Sequence, residues 1–219
     1  MTYHEVTTAQ LLRTAIRENQ KSLNTAIPGY LVAFDPDTQL AQLQIGVKRV
    51  DTQGNSFDPP ILIECPVHFP GGKFAIEYEL QPDDEGLIVF SQRCIDAWQD
   101  TGGIAENPIL RFHDYNDAMF IPGIRSQTNV LSNFQNNGVR LRNEDGTNYL
   151  WLKNDGTAEI TVTSLTVNGN LIVNGTVGAT DDITTDSNIV AQDGQFNAAN
   201  FNTHVHPAGT PPGNTGTPL

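Results

Sequence analysis

Two histidines close to the end of the chain have the residue type and spacing that best suit the binding of a metal ion. His204 and His206 lie in the segment Thr203–Pro207, and on an extended strand residues two apart project from the same face. If three chains meet about an axis, that face brings six imidazole nitrogens to one point. Six nitrogens suit an octahedral first-row metal such as iron, nickel or cobalt, whereas zinc prefers four ligands. The pair therefore predicts a metal site; the alternative is a solvated His-x-His without function.

The other histidines and one acidic pair are weaker candidates. His4 is expected in a disordered N-terminus, and His68 and His113 are expected at structural positions in strands or loops. Asp181 and Asp182 adjoin a bend but have no partner carboxylate of the kind that glycan hydrolysis requires. We interpret that acidic pair as a solvated turn.

The segment that precedes the histidines has a six-residue period. An apolar residue stands at every sixth position, at Leu165, Leu171, Val177, Ile183 and Ile189. Within each unit the first and third residues point to one side, and an Asn-Gly pair provides a bend. The last 66 residues contain no Lys or Arg. This pattern predicts a narrow, acidic β-helical shaft.

The repeats in one chain are too few for a shaft that stands alone. A solenoid needs about three coils to be stable, and the chain has roughly two. Three chains wound about a common axis would cover one another's strand edges. We therefore predict an intertwined homotrimer with one metal ion on its axis. The Pro- and Gly-rich residues 207–219 would form either a disordered tail or a compact cap around that ion.

The first two-thirds of the chain predicts a helix followed by a small β-domain. Residues 8–21 form an amphipathic helix that Thr7 or Thr8 can cap. Five strands follow in about sixty residues, at 30–34, 40–47, 61–67, 74–78 and 86–90, which fits a Greek-key barrel of the OB type. A helical turn is expected at 94–98 and an irregular flap at 112–124. A linker at 125–138 leads to a hairpin with strands at 139–143 and 149–153.

Composition excludes several classes of partner. A net charge of −13 disfavours electrostatic binding of nucleic acid or anionic lipid. Cys65 and Cys94 are not marked as a pair, which indicates core packing or synthesis in a reducing compartment. We expect neither a secretory signal nor a membrane span, and hence synthesis in a cytoplasm.

The chain resembles the central baseplate spike of contractile-tailed bacteriophages, the membrane-piercing tip beneath the tail tube. The N-terminal motifs that carry the resemblance are Leu12–Arg17 through Ala26–Gly29, Pro66–Gly72, Glu85–Phe90, Arg93–Trp98 and Phe112–Gly123. The Val-Asn-Gly hexads and Thr203–Pro207 carry it in the last part of the chain. The hexads occur in many fibres, so the N-terminal motifs are the more specific ones.

The resemblance implies an all-β fold with an N-terminal OB-fold collar, an intertwined trimeric β-helix spike and a short N-terminal helix. The domains would be a helix at 1–24, a collar at 25–125, a linker at 126–138, a shaft at 139–202 and an apex at 203–219. His204 and His206 would bind one iron ion per trimer. The partners would be the baseplate hub and tail-tube proteins, and the location would be the tip of the virion's tail baseplate. When the sheath contracts, the spike would pierce the host outer membrane mechanically, without catalysis.

Three other functions compete with this interpretation. Hexad repeats also occur in left-handed β-helix acyltransferases, in which a histidine near a coil edge acts as base, but here no coils are expected beyond His204 and His206 and the hexads are too few. A tail-associated glycan-degrading enzyme would need two suitably spaced carboxylates. An OB domain that binds single-stranded nucleic acid is disfavoured by the charge.

Overall fold

The computed structural model describes residues 7–107, 109–181, 183, 184 and 186. The chain divides into two units, Met1–Thr163 and Ser164–Leu219. The described residues are mostly β-structure with few helices, as predicted. In chain order the elements are α1 (Thr8–Ser22), β1 (Ala26–Asp35), β2 (Leu40–Ile45), β3 (Arg49–Val50), β4 (Ser56–Phe57), β5 (Ile61–Pro66), β6 (Glu85–Phe90), α2 (Asp96–Thr101), a 3₁₀ turn (Tyr115–Asp117), β7 (Ala118–Pro122), β8 (Gly138–Arg142), β9 (Tyr149–Lys153) and β10 (Ala158–Thr161). Among the described helices, none combines the length and apolarity that a bilayer crossing requires.

The N-terminal helix α1 is capped at its start and exposed along its length. The Gln10 N–H donates to Thr7 Oγ1 at 3.3 Å, and the Thr7 N–H donates to Gln10 Oε1 at 2.8 Å. This reciprocal pair is a capping box, which satisfies N–H groups that the first turn leaves free. The predicted helix is confirmed. Its apolar residues Leu11, Leu12 and Ile16 are all more than half exposed, and α1 has no buried residue.

Five strands form one curled sheet in the order β5-β2-β1-β6-β7, and all neighbours are antiparallel. The two outer strands approach each other at one point. There Val67 forms a parallel bridge with Phe120, and the His68 N–H donates to the Phe120 carbonyl at 2.8 Å. The sheet is therefore a half-barrel whose outer strands meet.

The concave side of the half-barrel encloses the core. Alternate residues of the strands point inward, as a half-buried sheet requires. The core residues are Leu31, Ala41, Leu43, Ile45, Leu62, Cys65, Ile88, Phe90, Ala118 and Phe120. A glycine is needed at position 86, because a Cβ there would lie 2.5 Å from the Phe120 ring and 2.6 Å from the Ile121 carbonyl oxygen.

Two parts of the half-barrel differ from the sequence prediction. Residues 74–78 were expected to be a strand, but they form a loop in which Phe74 is 92% exposed. The Tyr78 hydroxyl donates to the His68 carbonyl at 2.6 Å and anchors this loop in place of strand pairing. Conversely, residues 112–124 were expected to be irregular, yet they contain β7, which pairs with β6 and supplies Phe120 to the core.

A second sheet of three antiparallel strands follows, in the order β10-β9-β8. The strands β8 and β9 confirm the predicted hairpin. Its turn is held by the Asn143 N–H, which donates to the Asn148 carbonyl at 3.1 Å. The third strand, β10, and the short β3–β4 ribbon have no counterpart in the prediction.

The described part of the second unit contains no helix or strand and bends at regular intervals. The bends fall at Asn168–Gly169, Asn174–Gly175 and Thr180–Asp181, which are six residues apart. Gly169 has a φ of +155°, a conformation that L side chains rarely adopt. The six-residue bending predicted from the Asn-Gly pairs is therefore present. No strand pairing occurs among the described residues of this unit, and the β-helix stays a prediction.

Candidate assembly surface

One face of the second sheet carries charged and aromatic side chains that contact one another. The Arg140 guanidinium stacks on Tyr149, 3.8 Å from the ring centroid, and Nη2 donates to the Gly146 carbonyl at 2.8 Å. Glu159 accepts hydrogen bonds from Lys153 and from the Tyr149 hydroxyl. The hydrogen bonds from Lys153 and then Tyr149 lower the pKa of Glu159 to about 2. The charged groups of this face thus have partners within the sheet, whereas Arg140 Nε and Trp151 Nε1 are buried without a hydrogen-bond partner.

The opposite face of the same sheet is entirely aliphatic. Because strand residues alternate, the register places five large aliphatic side chains together on this side. They are Val139, Leu141, Leu150, Leu152 and Ile160, with exposed fractions of 66, 55, 39, 56 and 51%. A contiguous apolar face of this kind marks a site where another surface docks. We call these five residues the aliphatic face.

The hexad segment has apolar side chains that are likewise exposed. Leu165, Leu171 and Val177, the first residues of three consecutive hexads, are 63, 74 and 70% exposed. The third residues Val167 and Val173 are about half exposed. A single copy of the chain thus leaves uncovered the residues that were predicted to line the shaft.

An ionic cluster around the buried Asp117 in the first unit was not found from the sequence. The ligand atoms of Cys94, Asp96 and Asp117 lie within 4.8 Å of one another, a spacing that could hold a metal ion. Arg111 occupies this position instead, and its Nη2 lies 2.6 Å from Asp96 Oδ1 and 2.7 Å from Asp117 Oδ1. The hydrogen bond from Arg111 lowers the pKa of Asp96. In this cluster the guanidinium of Arg111, and not a metal ion, neutralises the two carboxylates, and the contacts stabilise the fold.

Both cysteines are buried and unpaired, in agreement with the core-packing interpretation. Burial, followed by the charge of Glu64, raises the pKa of Cys65 to about 12. Because the thiolate is the reactive form, Cys65 is inert at neutral pH.

The structure describes only some of the predicted site residues. His204, His206, His4 and Asp182 lie outside the described residues, and Asp181 is exposed at a bend. His113 is structural, as expected: its Nδ1 lies 2.9 Å from the Asn24 carbonyl oxygen, and Asn24 Nδ2 donates to the His113 carbonyl at 2.7 Å. The backbone of His68 joins the two outer strands of the half-barrel.

These features define a β-structured protein with exposed aliphatic surfaces, which is typical of a component of a larger assembly. Residues 27–123 match the family model described as "Phage protein Gp138 N-terminal domain". The match begins within β1 and ends directly after β7, so it coincides with the half-barrel. It supports a phage tail or baseplate protein and so confirms the resemblance seen in the sequence. No curated protein matches the chain.

Proposed function

We propose that this protein is the trimeric spike at the tip of a contractile phage tail, which pierces the host outer membrane when the sheath contracts. The observation that carries the proposal is the aliphatic face of the second sheet. Five large aliphatic side chains on one side of three strands are exposed to water, which is unfavourable. Three copies that turn these faces toward a common axis would bury them.

The half-barrel would be an OB-fold collar that joins the baseplate hub and tail-tube proteins. Support comes from its strand order and from the parallel contact between β5 and β7, which together resemble a closed five-stranded Greek-key barrel. The match to a phage-protein domain over the same residues is consistent with a place in the baseplate of the virion.

The hexad segment would be the shaft, wound with two further copies into a β-helix. Its six-residue bends and its exposed apolar residues support this arrangement. Interlocked strands resist force because the local unfolding of one chain requires its separation from two partners. The function would thus be mechanical, without catalysis; the acyltransferase and glycan-degrading alternatives gain no support from the described residues.

The apex would be held by one iron ion per trimer, on the threefold axis, with His204 and His206 from each chain as ligands. This part of the proposal rests on the spacing of the two histidines and on the resemblance. A shared ion would tie the three chain ends together, since metal binding adds its free energy to that of folding.

Light scattering of the purified full chain tests the proposal. A trimer would have a mass of about 72 kDa, three times the 23.9 kDa of one chain. Elemental analysis should find one iron per three chains, and the double variant His204→Ala, His206→Ala should lose the iron. A stably folded monomer of wild-type protein would contradict the spike function. A trimer without iron would contradict the apex alone.

A further inference from the structure

An open cavity of about 360 Å³ lies at the end of the half-barrel next to α1. Its floor is apolar and is formed by core side chains that include Ile27, Ile45, Phe90 and Tyr115. Its rim carries the basic residues Lys21, Lys48 and Arg49. None of its lining residues in the described part of the chain is acidic.

The strand register places this cavity opposite the end from which the chain continues. Ala26, at the start of β1, pairs with Val89 near the end of β6, so the cavity lies at that end of both strands. Pro122, the last residue of β7, pairs with Gly86 near the start of β6. The chain therefore leaves for the second sheet from the far end, and the cavity end is free of that connection.

Exposed apolar side chains surround the cavity. Leu23 and Val47 belong to its lining and are 45 and 50% exposed. Beside them, the β3–β4 ribbon exposes Val50 and Phe57 to 58 and 54%. We call the cavity, its basic rim and these four apolar residues the basic end surface.

The charge of this surface differs in sign from that of the whole protein. Five of the 12 Lys and Arg residues lie in α1 or on the rim, whereas the chain as a whole has a net charge of −13. The rim pairs Lys21–Glu18 and Lys48–Asp58 are exposed on both sides, and such pairs contribute little stability. Among the described residues, Arg49 has no ion-pair partner. An incoming anionic group can therefore contact Arg49 directly, and at Lys21 and Lys48 it would replace Glu18 and Asp58.

We propose that the basic end surface binds an acidic segment of another protein that carries aliphatic or aromatic anchors. The anchors would fill the cavity, and carboxylates beside them would contact Lys21, Lys48 and Arg49. The α1 helix of a second copy does not suit the surface, because Arg13 and Arg17 on that helix would be repelled by the basic rim. Nucleic acid suits it less well, since the whole protein is anionic and would repel a polyanion. This deepens the proposed attachment of the collar and identifies the chemistry of its partner.

Selection from a displayed library of random dodecapeptides on the immobilised full chain tests this inference. We expect the retained peptides to be enriched in Asp and Glu together with Phe, Leu or Ile. Binding of a retained peptide, measured by fluorescence anisotropy, should weaken at least about tenfold for Lys48→Glu with Arg49→Glu. The matched control is Lys73→Glu, an exposed basic residue in the loop at the opposite end, which should bind as wild type does.

Several outcomes would overturn the proposal. The first is a set of retained peptides without enrichment in Asp and Glu. The second is an equal loss of peptide affinity in the double variant and in Lys73→Glu. The third is tighter binding of a labelled 12-nucleotide DNA than of any peptide. The milder variant Arg49→Gln, with circular dichroism as a check of folding, keeps the test valid if the double variant is unstable. Light scattering on the same samples shows whether the protein is a trimer. Because peptide binding does not require three copies, the outcome of the binding test can be distinguished from a failure of the proposed trimer.

Discussion

Arg111 holds the fully buried carboxylate of Asp117 through two hydrogen bonds, Nε to Oδ2 at 2.8 Å and Nη2 to Oδ1 at 2.7 Å. The Ile95 N–H donates to the same carboxylate at 3.0 Å. Three donors thus compensate for the removal of this charge from water. The contact ties the segment after β6 to the turn before β7, and so fixes the strand that completes the half-barrel.

Replacement of Asp117 by Asn should destabilise the half-barrel by about 3 kcal/mol. The change leaves the Arg111 guanidinium without its buried counter-charge, and loss of one partner of a buried pair is costly. Urea unfolding at a fixed protein concentration measures the effect. Asp58→Asn, which removes an exposed pair with Lys48, is the control and should cost less than about 1 kcal/mol. Equal costs would contradict the structural role of the pair.

Acid should weaken the second sheet through Glu159. Its pKa of about 2 in the folded protein lies below its ordinary value of 4.5, so the carboxylate stabilises the fold above about pH 4.5. That contribution is lost as the pH falls from 4.5 toward 2. The urea midpoint of wild type should therefore fall more between pH 6 and pH 3 than that of Glu159→Gln. Glu106→Gln, an exposed loop change, should behave as wild type does; parallel curves for all three proteins would exclude the effect.

Val139→Asp should prevent assembly if the aliphatic face is covered by other copies. A carboxylate in each of three packed faces would lose its hydration and repel the other two. The loss of each buried Val side chain also makes assembly less favourable by about 1.5 kcal/mol or more. Light scattering should show a fall from trimer to monomer. Val130→Asp makes the same chemical change at a residue of similar exposure outside the sheet, 69% against 66%, and should leave the mass unchanged. A trimer in both variants would show that this face is not the interface.

Gly86→Ala should destabilise the half-barrel by about 3 kcal/mol. The new methyl group would lie 2.6 Å from the Ile121 carbonyl oxygen, and backbone cannot move away as a flexible side chain can. Thermal or urea unfolding measures the loss. Gly72→Ala is the control, since a Cβ there meets no atom within 4 Å, and its effect should stay below about 1 kcal/mol.

Local sequence signals predicted the elements that depend on neighbouring residues. The cap at Thr7 and the apolar spacing of Leu11, Leu12 and Ile16 located α1, and the Asn-Gly pairs located the bends of the hexads. Each of these features is decided within a few residues of chain. The hairpin of β8 and β9 belongs to the same group.

Features that depend on distant residues were missed. The alternation of Phe74 and Ile76 resembles a strand, but no neighbouring strand pairs with it. The short strand β7 lacks a strong pattern of its own and exists because β6 offers it an edge. Asp96 and Asp117 lie in motifs that carry the resemblance, but no spacing in the sequence links them to Arg111, and only the fold brings the three charges together.

The bridge between Val67 and Phe120 determines when the half-barrel can finish folding. This contact requires β7, so the half-barrel is complete once the chain has been synthesised to about Gly123. The hexads and the histidine pair are translated later, and N-terminal domains generally fold first during synthesis. In each nascent chain the half-barrel would thus be folded before the hexad segment, with its exposed apolar residues, emerges from the ribosome. If the proposed trimer forms, three half-barrels would meet already folded, and the winding of the chains would be confined to the segment made last.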